Sequence, residues 1–447
     1  KENVRYLMKT VTARDLKKNV KEWVGGLRQD RTLVTRHNKP PAVSVAIEGS
    51  DRSELMSTAS PSAAARDLRL DFFRGLALFC IFIDHIPNNI LAKFTLQSLM
   101  FADAAEVFIL ISGYTAGMVY GRIMERQGFV IAAVRIYHRV WQLYVAHIFL
   151  FMIFMATMAY TAGALNTSLY AEEFGAANFL NEPGLAVVKA LTLQFQPAFM
   201  DILPLYIVLL VVLPLAVTGY RSSPSVVIVA SMVIWFAVQI DKRIALPAYP
   251  GPDQYWFFNP FAWQALFFLG AWFGWRANHG GVSWLNRRWL FYLAAGVSLA
   301  GFLIRFSWTL HEFYDPIPVS ASGELLWPFL SKGDLGFLRF ANVLALALLV
   351  SRVIHPQAWF LAGRAARPFV ISGRNSLHIF CLGILLSVLG QLVLNEFFGG
   401  ILMQLAVSAA GIVIMIGVSV FMEWFDAAQR TSGGPVGAPL ARRGARQ

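Results

Sequence analysis

From Gly75 onward the chain alternates long uncharged apolar runs with short polar ones. The runs fall at 75–92, 104–121, 137–162, 203–220, 225–240, 260–275, 289–306, 335–354, 371–391 and 401–425. Each approaches the ~20 apolar residues that a bilayer crossing needs, so the pattern predicts ten transmembrane helices. The stretch 179–200 contains Glu182, Pro183, Lys189 and Pro197 and reads as re-entrant or interfacial rather than spanning. Residues 1–58 follow a different rhythm. Ala13–Arg28 sets Leu16, Val20, Trp23, Val24 and Leu27 on one helical face, and Leu33–Arg36 and Ala42–Ile47 read as two short strands around Asn38-Lys39-Pro40-Pro41. The fold class is an all-α polytopic integral membrane protein of about ten transmembrane helices, carrying a short α/β-like soluble N-terminal extension. The division is 1–58 extension, 59–74 linker, 75–425 membrane domain and 426–447 flexible basic tail.

Composition agrees. With 57% hydrophobic and 14% charged residues over 447 positions, the chain has too little polar side chain to cover a soluble globule. Disorder is excluded on the same ground. The net charge of +12 would suggest nucleic acid in a soluble protein, but the excess sits at the ends, 14 of the 38 basic residues lying in positions 1–70 and four more (Arg430, Arg442, Arg443, Arg446) in the tail. It reads as topology, with no nucleic-acid partner for the membrane domain. Ten spans with a cytoplasmic start put Arg122, Arg126, Arg135, Arg139, Arg221, Arg276, Arg287, Arg288, Arg352, Arg364, Arg367 and Arg374 on the inside. Glu172, Glu173, Glu182, Asp201, Asp241, Asp253, Glu312, Asp315, Glu324 and Glu396 fall outside, so both termini are expected in the cytoplasm. Cys80 and Cys381 sit apart in apolar runs, as core thiols do.

Ionisable groups inside apolar spans are costly and mark functional candidates. Asp84 and His85 lie in the first run. Counted from Arg74, His85 is about 16 Å along a helix, near mid-bilayer, where a neutral imidazole can take a proton from a hydroxyl. A core histidine bonded to a backbone carbonyl would account for its position equally well. Asp84 points about 100° away from it, so Glu106, one turn into the returning span, is the candidate orienting partner, with Asp84 lining the same cavity. Arg135 and Arg139, four apart on one helix face, could grip phosphates together. The outer segments 241–260 and 308–334 mix Trp, Tyr and Phe with Asp, Glu and His, a composition suited to sugars, and Arg305, Trp308 and His311 are candidate acceptor contacts. There is no H-E-x-x-H, no phosphate-binding glycine loop and no cysteine cluster, so no metal or bound cofactor is expected.

"RLDFFRGLALFCIFIDHIPNN" separates Arg74 from His85 by ten residues. It resembles the opening motif of the membrane acyltransferase family 3, in which an Arg, ten residues and the catalytic His lie in the first span. "AAEVFILISGYTAGMVYGR" is similar to that family's second span, with Val107 in place of one Phe. "RIYHR" at 135–139 is similar to its Arg-x-x-x-Arg motif, and "SGRNSLHIF" at 372–380, with His378, to its late segment. Within the superfamily the closest resemblance is to OpgC, over about 66–425. The resemblance implies a bacterial inner-membrane enzyme that transfers a succinyl or acetyl group from acyl-CoA, as co-substrate, to a periplasmic glucan or other surface glycan. On it, His85 is the catalytic base or nucleophile, and Arg74, Arg135 and Arg139 contact the acyl-CoA. Separately, "KTVTARDLKKNVKEWV" with "LVTRHNKPPAVSVAI" resembles the Phd/YefM antitoxins, while Met56 is a natural start for the membrane protein, so that 1–55 also read as an upstream frame or fusion.

Two other readings compete with acyl transfer. A transporter or flippase for a glycan or polar lipid would line its path with Asp84, His85 and Arg305. A membrane-anchored toxin–antitoxin component would rest on residues 8–50 alone.

Overall fold

The computed structural model describes residues 9–12, 32–36, 39–44, 67–164, 169–251, 253–311, 326–397 and 399–432, in two units that divide between Arg66 and Asp67. In the first unit, strand β1 (Lys9–Thr12) pairs parallel with β2 (Thr32–Arg36), and β2 pairs antiparallel with β3 (Lys39–Ser44). The prolines expected in the turn instead fall inside β3, the edge strand, opposite the irregularity in pairing register between Val34 and Arg36. The helix expected over Ala13–Arg28 lies outside the described residues.

The second unit is helical. Its principal helices are α1 (Leu68–Asp84), α2 (Ala104–Gln127), α3 (Phe129–Ala164), α4 (Ile202–Ser222), α5 (Pro224–Ile240), α6 (Pro260–Ala277), α7 (Arg288–His311), α8 (Phe337–Val353), α9 (Arg367–Arg374), α10 (Ser376–Glu396) and α11 (Ile401–Ser432). Among the described residues six are long and apolar enough to cross a membrane: α2, α3, α4, α7, α10 and α11. Helices α1, α5 and α8 have 17 residues each, or about 26 Å of rise against a hydrocarbon core of about 30 Å. The chain is a multi-pass membrane protein by these six helices. The 179–200 stretch holds the nine-residue helix Pro183–Leu191, too short to cross.

Two expected spans change shape. The run 75–92 slides toward the N-terminus: α1 starts behind an Asp67 cap, whose carboxylate accepts from the Arg69 amide, and stops at Asp84 with His85 as its C-cap. Pro87 follows two residues later and Asn88 takes a left-handed φ of 58°, so the helix has no route onward. The chain instead crosses the bundle end through a 3₁₀ turn (Ile90–Phe94) and the short helix Leu96–Leu99. The run 371–391 breaks at Asn375 into α9 and α10.

Successive long helices run in alternate directions, which gives the unit two ends. At the near end, where α1 begins, Arg69 donates to the Ile354 carbonyl just past α8, Arg122 at the end of α2 donates to Asn278 just past α6, and Arg352 donates to Asn286. The far end gathers His85, Asp103, Asp201 and the loop before α8. Two seams of small residues hold the frame. Between α2 and α6, a Cβ on Gly117 would stand 1.9 Å from the Ala271 carbonyl oxygen, and one on Gly274 only 1.8 Å from that of Tyr114. Between α1 and α9, a Cβ on Gly75 would stand 1.9 Å from the Phe369 oxygen and one on Gly373 1.8 Å from that of Asp71. At both seams backbone rests on backbone.

Candidate active site

His85 ends α1 at the far end, half-buried. Its Nδ1 lies 2.5 Å from the Ile81 carbonyl oxygen. A carbonyl can only accept, so Nδ1 carries the proton and Nε2 keeps its lone pair. The residue that orients the ring is thus its own helix, four positions back, not a carboxylate. The edge of Phe199 meets the imidazole at 4.6 Å between ring centres, the planes 86° apart. Phe199 has a φ of +70°, a conformation that costs a bulky L-residue of order 1–3 kcal/mol and that surrounding contacts must hold. Those contacts include the Ala198 amide on the Phe174 carbonyl and the Phe174 ring itself, 5.8 Å away. Asp84 points elsewhere: its carboxylate accepts from the Thr95 hydroxyl at 2.5 Å.

Beside it, α2 starts with a reciprocal cap. Asp103 accepts from the Ala105 amide at 2.7 Å, and Glu106 accepts from the Asp103 amide at 3.0 Å. Two cations close on these acids. Arg339 of α8 donates through Nε to Glu106 at 2.6 Å and through a terminal nitrogen to Asp103 at 3.0 Å, while Lys332 Nζ reaches the same Asp103 oxygen at 2.7 Å. Glu106 and Asp103 are 0% and 5% exposed, a burial that carboxyl groups tolerate only with partners, and each has a basic side chain within 3.0 Å. Burial works against the charge on Lys332, but the Asp103 and Glu106 carboxylates outweigh it and hold its pKa above the ordinary lysine value. Glu106, expected to orient His85, has both oxygens engaged in this group.

Neither Lys332 nor Arg339 was singled out in the sequence. Arg339 could have been, because it is a charge inside the 335–354 run and the rule that marks His85 applies to it equally. Lys332 carries no such signal, since it lies in a polar connection.

Between α1, α2, α3, α4 and α10 lies a cavity of about 170 Å³ whose walls include Arg74, Ser112, Thr115, Tyr120, Arg139 and Ser376. Arg74 donates to the Thr115 hydroxyl at 2.9 Å. The walls run from Arg139 and Tyr120 toward the near end up to Phe108 and Ile202, next to the His85 end. The cavity therefore joins Arg74 with Arg139, whereas Arg135, one turn earlier on α3, is exposed, as is His378. The pair expected from spacing along one helix is replaced by a pair across two.

Of the expected acceptor contacts, Arg305 and Trp308 lie against the connection that follows His85. Arg305 Nε donates to the Gln97 carbonyl at 2.9 Å, and its guanidinium stands 5.8 Å from the Trp308 ring. Trp308 in turn sits 6.1 Å from Phe101. Both brace the connection that carries Thr95, the partner of Asp84. His311 ends α7, and its side chain lies outside the described residues. Among the described residues no three His, Cys, Asp or Glu side chains are grouped to hold a metal.

A family model described as OpgC protein matches residues 66–427. No curated protein matches the chain.

Proposed function

We propose a function from the premise that the chain belongs to the OpgC family, which implies a membrane protein of osmoregulated periplasmic glucan modification with an acyltransferase-type role. On that premise we propose that it is an O-acyltransferase of the bacterial inner membrane, moving a succinyl group from succinyl-CoA to a glucan hydroxyl. The observation that carries the proposal is the His85 ring: its Nδ1 is fixed on the Ile81 carbonyl, which leaves Nε2 as a base.

In this reading the near end, where Arg122, Arg276 and Arg352 cluster, faces the cytoplasm together with both termini. About ten crossings then require α1, α5, α6 and α8 to span beside the six long helices. Acyl-CoA enters from that side and sets phosphate oxygens against Arg74 and Arg139. The glucan arrives at the far end. Nε2 takes the proton of its hydroxyl as the oxygen attacks the thioester carbonyl, the carbon–sulfur bond breaks, and the proton passes from His85 to the departing CoA thiolate. The wider placement in membrane acyltransferase family 3 rests on the spacing of Arg74 and His85.

The test is the mass and charge of periplasmic glucans from cells with the protein, without it, and with His85→Ala. The expected result is a gain of about 100 Da and one negative charge per substituent that disappears in the last two strains, with transfer slowed ~10²- to 10⁴-fold in the variant. A gain of about 42 Da would instead mark acetyl as the group, by the same base chemistry. Identical glucans in all three strains would overturn the reading and bring transport forward.

A further inference from the structure

Helix α3 carries a polar side chain that the chemistry above leaves unused. His147 is 0% exposed, and among the described residues neither of its ring nitrogens has a hydrogen-bond partner. A buried polar group without a partner costs stability, and an ionisable one kept inside a transmembrane helix marks a function. Its place follows from the helix. Arg139 and Leu143 both line the cavity, and His147 comes next on that face, one turn and ~6 Å beyond Leu143. Phe151, a further turn on, sets its ring 5.7 Å from that of Phe195. Gly128 alone separates α2 from α3, and the two helices pack together. A residue on α3 is therefore level with the one equally far back on α2, which puts Leu143 at the height of Gly113 and His147 at that of Ile109. Phe108 and Ser112, which bracket Ile109, are both cavity walls. Arg74 bonds Thr115 of α2, so along the helix axes His147 stands ~9 Å beyond Arg74 and His85 ~16 Å beyond it. The imidazole of α3 thus lies between the guanidinium pair and the base.

An acyl-CoA whose phosphates rest on Arg74 and Arg139 and whose thioester meets His85 lays its pantetheine arm across this interval. The arm is uncharged and carries two amides, each with one carbonyl oxygen and one N–H. An uncharged imidazole offers one N–H and one lone pair, which suits an amide in apolar surroundings, where a carboxylate or phosphate would bury an unpaired charge. We propose that His147 binds the pantetheine arm of the donor, hydrogen-bonding one of its amides and so setting how far the thioester reaches toward His85. This rests on the acyl-transfer reading and adds to it a contact for the part of the donor that no cation can hold.

The experiment titrates purified full-length protein in detergent with CoA and, separately, with adenosine 3′,5′-bisphosphate, which keeps the nucleotide end and lacks the arm. His147→Leu should weaken CoA binding about tenfold, the loss of one hydrogen bond that leaves a buried amide unpaired, and should leave the bisphosphate Kd unchanged. Arg74→Gln should weaken both. The Leu variant should melt no lower than the unaltered protein, because an imidazole with both nitrogens unpaired gives up no bond. His147→Gln, which keeps a donor and an acceptor, should retain most of the CoA affinity. If the Leu variant does not fold, His147→Met gives the same comparison. A CoA Kd within twofold of the unaltered protein, or an equal loss for the bisphosphate, overturns the contact while acyl transfer stands. No CoA binding by the unaltered protein removes the parent reading and the contact together.

Discussion

The two ends of the site are built from opposite materials. The cavity between α1, α2, α3, α4 and α10 is lined by two guanidinium groups, Arg74 and Arg139, with hydroxyls from Ser112, Thr115, Tyr120 and Ser376, and no acid is among its walls. The far end pairs two buried carboxyls, Asp103 and Glu106, with Lys332 and Arg339, and sets Asp84 against the Thr95 hydroxyl. On the proposed reading, the guanidinium-lined cavity is the side that takes the phosphate-bearing donor. What separates the two ends is charge, and His85 stands where one gives way to the other.

Breaking what both ends share should have the largest effect. Helix α2 carries Ser112 and Thr115 for the cavity and Asp103 and Glu106 for the mouth, and it is pinned by the glycine seam to α6. Gly117→Leu or Gly274→Leu pushes a side chain into a carbonyl oxygen under 2 Å away, so we expect no folded protein by size-exclusion chromatography in detergent. Recovery of a monodisperse, active Gly274→Leu protein would show that the helices can part.

Breaking only the far end comes next. Arg339→Met leaves Glu106 and Asp103 buried with one cation between them, which should destabilise the fold by about 3–5 kcal/mol. Adding Glu106→Gln should recover part of the loss, as read by thermal melts. If the single variant melts with the unaltered protein, the acids are not held by Arg339.

Breaking only the near end should spare stability and cost donor affinity. Arg74→Gln and Arg139→Gln should each raise the KM for succinyl-CoA about 10- to 100-fold, the span expected of one charged hydrogen bond, with the acceptor KM unmoved. Arg135→Gln should change it by less than about threefold, because that side chain stays outside the cavity. An Arg135 effect equal to that of Arg139 would restore the phosphate grip expected from the sequence. The smallest change is Thr115→Val, which takes from Arg74 its hydroxyl partner and about 1 kcal/mol, a few-fold rise in donor KM.

Much of this arrangement is legible in the chain, and the parts that are not share a cause. The apolar runs mark where helices form, because burying backbone in lipid leaves no alternative. Lengths are less legible. The end of α1 depends on Pro87 and Asn88, whose effect a hydropathy window averages away, and so His85 emerges at a helix terminus rather than within a continuous span. Partnerships between distant elements are the least legible. Glu106 paired with Arg339, 233 residues on, and Arg74 joined to Arg139 across helices, follow from packing that no local spacing encodes. The backbone bond of His85 is legible, since position 81 is one turn back on the same helix and a histidine bonded to a backbone carbonyl accounts for its position.

The seam glycines change how the short motifs should be understood. Arg74 lines the cavity and Gly75 meets α9; Ser112 lines the cavity and Gly113 meets α6. Adjacent residues on a helix point about 100° apart, so each dipeptide faces the cavity with one letter and a neighbouring helix with the next. Such a motif is kept by two separate pressures, one chemical and one architectural. A descendant that lost its catalytic task would be expected to shed Arg74 and Ser112 while retaining Gly75 and Gly113, and half a motif in a relative would then record ancestry without activity.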